Sequence, residues 1–151
     1  EALGRLAERF VDHDFIYPVH LNPNVSGPVH ARLAKRANVL LVPPLGYAPF
    51  VWLLARCRLV LTDSGGVQEE APSLGKPLLL MRAATERPEA AAAGTVRLVE
   101  PEAERLVTEV ARLLTDPAAH AQMARAINPY GDGFAAGRVV ERLRRYVKEG
   151  Q

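Results

Sequence analysis

Five short apolar runs limit what this chain can become: residues 15–19, 39–42, 59–62, 78–81 and 96–99. They read "FIYPV", "VLLV", "LVLT", "LLLM" and "VRLV", almost without polar alternation. A strand that shows no polar face must be covered on both sides, as in a parallel sheet. Stretches of helical length lie between the runs, near 27–36, 48–56, 66–74 and 87–93. Strand and helix in alternation define a doubly wound α/β domain, with helices on both faces of one parallel sheet. Two more helices are expected near 102–115 and 117–126, then a loop "NPYGDG" and a last helix over 134–148.

Local punctuation supports these boundaries. Pro28 is placed to open its helix near the first turn. Gly75 is expected to end another helix in the left-handed conformation, with Pro77 just beyond, and Gly94 to do the same. Asp132 or Gly133 is the expected cap of the last helix. With 151 residues the chain is one domain, and residues 1–9 already read as a helix, which suggests a piece of something longer.

Composition excludes several roles. A net charge of +2, carried by dispersed arginines, gives no footprint for nucleic acid. No apolar run approaches the roughly 20 residues of a membrane span. Cys57 is the single cysteine, so no internal disulfide can form. That suits a reducing, cytoplasmic setting, with Cys57 in a packing role. The histidines and carboxylates form no metal-ligand pattern, and no redox cofactor motif is present.

Ligands of an open parallel sheet bind beyond the carboxyl ends of its strands. There the third run delivers Asp63-Ser64-Gly65-Gly66, at the start of a helix. A helix N-terminus presents unpaired N–H groups and about half a positive charge. Gly65 and Gly66 would admit an anion to the backbone, and Ser64 adds a hydroxyl. The same residues could simply make a tight turn and cap the helix. Glu70 stands one helical turn above Gly66, about 6 Å along the axis. A carboxylate there could accept from two ribose hydroxyls, or merely complement the helix dipole. Glu69 is turned about 100° away, toward solvent or a capping role. Phe50 could face a base or join the core. Arg87 could reach a phosphate or remain a surface charge, and His20 could serve as ligand, acid, base or plain loop residue.

The segments "YPVHLNPNV", "LTDSGGVQEEAPSLGKP", "MRAATERPEAAAAGTVRLV" and "NPYGDG" closely resemble the non-hydrolysing UDP-N-acetylglucosamine 2-epimerases of bacteria. The resemblance runs through nearly the whole chain in order. It implies the Rossmann-like C-terminal, UDP-binding domain of a glycosyltransferase-B type fold, spanning residues 1–151 and lacking its first strand. It also implies an enzyme that interconverts UDP-GlcNAc and UDP-ManNAc by eliminating and re-adding UDP, without metal or redox cofactor. Such enzymes are cytoplasmic homodimers feeding cell-surface polysaccharide synthesis. By this likeness Ser64, Gly65 and Gly66 form the diphosphate turn, Glu70 holds the ribose, Phe50 lies beside uracil and Arg87 lines the nucleotide site. His20 corresponds to a residue bordering a second, regulatory UDP-GlcNAc site. Many relatives have Gln where this chain has Leu45. The family's acid/base carboxylates belong to an N-terminal domain, so no catalytic residue is expected in this chain. The helix over 134–148 is expected to show an apolar stripe that packs toward that domain. Two alternatives are the donor-nucleotide domain of a glycosyltransferase of the same architecture, which "TERPE" and "NPYGDG" argue against, and a free-standing nucleotide-binding module.

Overall fold

A computed structural model describes residues 1–125 and 128–148. The domain assigned to 1–151 therefore includes five positions outside the described residues. The five runs form strands β1 (Phe15–Pro18), β2 (Val39–Val42), β3 (Val60–Thr62), β4 (Leu78–Leu80) and β5 (Val96–Leu98). Around them lie helices α1 (Ala2–Arg9), α2 (Pro23–Leu33), α3 (Tyr47–Arg56), α4 (Gly65–Ser73), α5 (Pro88–Ala93), α6 (Ala103–Thr115), α7 (Pro117–Ala124) and α8 (Ala135–Lys148).

Every strand pair is parallel. β4 shows how the sheet is covered on both faces. Leu79 packs with Leu6 of α1, Leu106 and Val110 of α6, and Met123 of α7. Its neighbours Leu78 and Leu80 pack on the opposite face, with Ala71 of α4 and Ala90 of α5. All three leucines are wholly buried. That double burial is why the run carries no polar residue.

The hydrogen-bonded ladder is interrupted, however. β1 pairs with β2, and β3, β4 and β5 pair in that order, but β1 and β3 are not bonded to each other. The two ladders nonetheless share a core, because Phe15 packs in the same cluster as Leu59, Leu61 and Leu79. At their carboxyl ends they are close enough for Asp63 to act on Tyr17. Burial first, and the Asp63 charge second, push the Tyr17 hydroxyl above its usual pKa.

Helix ends follow local chemistry, with two corrections to the sequence reading. α2 begins at Pro23, and the Asn22 side chain caps it by accepting from the Asn24 N–H at 3.0 Å. Pro28 lies inside the helix rather than at its start. Its exposed position leaves the unpaired Asn24 carbonyl to water. Asp132 does not cap α8 either. It accepts from the Phe134 N–H, one residue ahead of the helix, and pairs with Arg138. Gly75 has a φ of 65° and closes α4 as expected. The Lys76 N–H reaches the Ala71 carbonyl and the Gly75 N–H reaches Pro72, the paired bonds of a Schellman turn. At α1 the Asn38 side chain does similar work, donating to the carbonyls of Ala7, Phe10 and His13.

α8 buries no residue. Val139, Val140, Leu143, Tyr146 and Val147 recur at helical spacing and are all exposed, forming the expected apolar stripe.

Candidate functional site

The turn from β3 into α4 leaves its helix start open. Ser64 is the N-cap residue, yet its hydroxyl caps nothing. Its backbone N–H is taken by Thr62 Oγ1 at 3.1 Å. Gly65 and Gly66 occupy the first two helical positions, so their N–H groups are among those a helix leaves unpaired. A methyl group at Gly66 would meet nothing within 4 Å. The helix begins at Gly65 without a side-chain cap, which leaves the dipole uncompensated at its mouth.

Arg87 completes the turn from the other side. It precedes α5, in the loop after β4, and its guanidinium crosses to α4. A Cβ placed on Gly65 would lie 3.1 Å from Arg87 Nη1, so the missing side chain of Gly65 is the space Arg87 uses. Arg87 Nε donates to Glu69 Oε1 at 2.5 Å, and Glu86 stands 3.6 Å from Nη1. The hydrogen bond to Glu69 holds the guanidinium above its already high pKa. Glu69 is thus exposed, one of its two expected placements, but its carboxylate is engaged by Arg87 rather than capping the helix.

A buried brace fixes this geometry from below. Gln68 is completely buried. Its Oε1 accepts from the Thr85 hydroxyl at 2.8 Å, and its amide lies 3.4 Å from the Ser64 carbonyl. Thr85 Oγ1 in turn accepts from the Arg87 N–H at 3.1 Å. The start of α4 and the loop bearing Arg87 are thus tied through two side chains that the sequence reading passed over.

The "NPYGDG" loop also reaches this region. Asn128 donates to Ser73 Oγ at the end of α4, and Tyr130 packs with Ala71 and Ala90. Burial raises the Tyr130 pKa, and the charges of Glu89 and Glu69 add to it while Arg87 opposes. Its buried hydroxyl has no partner among the described residues.

Glu70 is half-buried and takes part in no ion pair among the described residues. Phe50 is half-buried on the first turn of α3, which follows the carboxyl end of β2. His20 is exposed after β1, and its Nδ1 accepts from the Asn22 N–H at 3.1 Å, which requires the Nε2–H tautomer. The other histidines do not join it: His30 meets Ser26 and His120 meets the Arg58 carbonyl. No cluster of His, Cys, Asp or Glu able to hold a metal occurs among the described residues. No described helix is long and apolar enough to cross a membrane.

These features define a Rossmann-like α/β domain of the glycosyltransferase-B type, with its helix-start turns gathered at the strand ends. A glycotransferase of kitacinnamycin shares the fold alone, at 18% identity and a TM-score of 0.66, covering 93% of this chain and 38% of that one. The chain belongs to the UDP-N-acetylglucosamine 2-epimerase family, whose sequence model matches residues 1–144. It is 56% identical to the UDP-N-acetylglucosamine 2-epimerase of Escherichia coli K12 over 143 residues. That match covers 95% of this chain and 38% of the relative, so the chain spans well under half the relative's length. The structure of UDP-GlcNAc 2-epimerase from Neisseria meningitidis bound to UDP-GlcNAc superposes with a TM-score of 0.88 at 45% identity, covering 95% of this chain and 40% of that one.

Proposed function

We propose that the full-length protein interconverts UDP-GlcNAc and UDP-ManNAc, and that this chain holds the UDP moiety. The observation that carries the reading is the convergence of Arg87 on Gly65 at the open N-terminus of α4. The diphosphate occupies that turn, receiving the N–H groups of Gly65 and Gly66, the Ser64 hydroxyl and the Arg87 guanidinium. Glu70, one turn up, accepts from the ribose hydroxyls, and Phe50 lies beside the uracil. Leu45 offers no polar side chain to the base, so any contact there comes from the backbone.

The chemistry follows from what such a turn stabilises. Removal of the C2 proton drives the C1–O bond electrons onto UDP, leaving 2-acetamidoglucal. Positive groups around the diphosphate favour that departing charge. Re-addition of UDP at C1 and return of a proton to the other face of C2 give the epimer. The carboxylates that move the proton belong to an N-terminal domain, and this chain supplies none of them. The break between β1 and β3 fits a further parallel strand, contributed by residues ahead of α1. The exposed stripe of α8 packs toward that N-terminal domain. The enzyme works in the cytoplasm as a homodimer, its product enters cell-surface polysaccharide, and His20 borders a second UDP-GlcNAc site.

The test is incubation of the full-length protein with UDP-GlcNAc, following UDP-ManNAc by NMR. Epimer formation without any acceptor supports the reading. Sugar transfer to an acceptor, with no epimer formed, overturns it in favour of a glycosyltransferase.

A further inference from the structure

We propose that Glu69 is a positioning residue, whose carboxylate holds the Arg87 guanidinium over Gly65 so that its free N–H groups face the diphosphate. The inference rests on the UDP-binding reading above. Glu69 stands four residues after Gly65, on the same side of α4 and one turn above it. Arg87 spans the two: Nε donates to Glu69, while Nη1 and Nη2 lie 3.1 and 3.6 Å from the position a Gly65 Cβ would take. A guanidinium has five N–H donors in a fixed fork, so one anchored at Nε keeps four for a ligand. Without the anchor, a long side chain must be ordered by the ligand itself, which weakens binding.

Charge alone would predict the opposite. An acidic residue beside an anion site repels the anion, so its neutralisation should tighten binding. The ion pair removes that conflict by cancelling the Glu69 charge where it stands. Nor is Glu69 required for stability, because it is about half exposed and ion pairs of that kind contribute little to folding. The Arg87 backbone stays fixed through Thr85 and Gln68 whether or not Glu69 is charged.

The experiment is a double-mutant cycle in the full-length protein, with UDP affinity read by calorimetry. Glu69→Gln should weaken UDP binding about tenfold, the scale of one charge-assisted hydrogen bond. Its melting temperature should match wild type. In an Arg87→Ala background the same change should cost nothing further. Tighter or unchanged binding in Glu69→Gln, or an equal loss with and without Arg87, overturns the proposal. A wild-type protein that ignores UDP would sink the nucleotide reading instead. The crystal structure of ligand-free Glu69→Gln then decides the positioning role: Arg87 displaced from Gly65 upholds it, and Arg87 unmoved overturns it.

Discussion

Thr85 donates its hydroxyl to Gln68 over 2.8 Å beneath the start of α4, and no water reaches the Gln68 side chain. Replacing Gln68 by Leu leaves the partly buried Thr85 hydroxyl without its acceptor. The cost should be about 1–3 kcal/mol, the penalty of an unsatisfied buried group. Urea unfolding of Gln68→Leu against wild type measures it directly. A midpoint unchanged from wild type would show that the brace contributes no stability.

Gly65 and Gly66 should separate folding from binding. A methyl group at Gly66 meets open space, and alanine suits a helix better than glycine by up to about 1 kcal/mol. Gly66→Ala should therefore melt no lower than wild type, yet bind UDP more weakly, because the methyl would enter the proposed diphosphate site. Gly65→Ala should weaken binding by another route, pushing Arg87 Nη1 aside. Melting curves and calorimetry on both variants test the pair.

Glu70→Gln should reduce UDP affinity by about 1.5–3 kcal/mol, by weakening a charge-assisted hydrogen bond to the ribose. Its signature is sugar dependence: 2′,3′-dideoxy UDP should bind the variant and wild type equally. A loss that persists with the dideoxy ligand would place Glu70 in another role.

Leu143→Glu probes α8. At a solvated helix position this change stays within about 0.5 kcal/mol. In the full-length protein, if the N-terminal domain covers the stripe as proposed, the loss should approach 2–3 kcal/mol, the burial energy of one leucine. Denaturation of full-length wild type and variant distinguishes these values.

Cys57 donates its thiol to the Leu54 carbonyl, and burial raises its pKa from 9.0, against a smaller opposing effect of Lys76. The folded state thus favours the thiol. The stability linked to this group is complete below the unfolded pKa and is lost as pH rises through the folded one. At pH 8 a disulfide reagent should modify Cys57 more slowly than a free cysteine, and denaturant should restore the ordinary rate.

The strands were legible as unbroken apolar runs, and all five runs formed strands, although only β4 is buried throughout while Ile16 of β1 and Leu40 of β2 are exposed. The helix start after β3 was legible because glycines between an apolar run and a helical stretch mark a turn, and α4 begins at Gly65. The pairing of Glu69 was missed for a definite reason. Periodicity tells which way a residue points on its own helix, but not that Arg87, eighteen residues later, returns to meet it. Gln68 escaped because a buried amide and a solvated one look identical in sequence. The start of α2 was misplaced because Pro23 and Pro28 both resemble an opening residue, and the Asn22 cap decides between them. The interrupted ladder had no sequence signal at all, since strand pairing order is set by tertiary packing.

That interruption divides the molecule's response to slow opening. The amides of Phe15 and Val19 bond to Asn38, next to β2, and to Val42 of β2, whereas those of Val60, Met81 and Val99 bond to Pro77, Thr62 and Leu80, in or beside the β3–β5 ladder. Among the described residues no backbone bond joins the two groups, so side chains couple their opening, through Phe15 and through α1, whose Leu6 packs with Leu79 and whose Ala7 packs with Val39. Amide hydrogen exchange should accordingly resolve two protection classes in this chain, with the β1–β2 pair exchanging first. A strand seated between β1 and β3 would merge them into one cooperative unit.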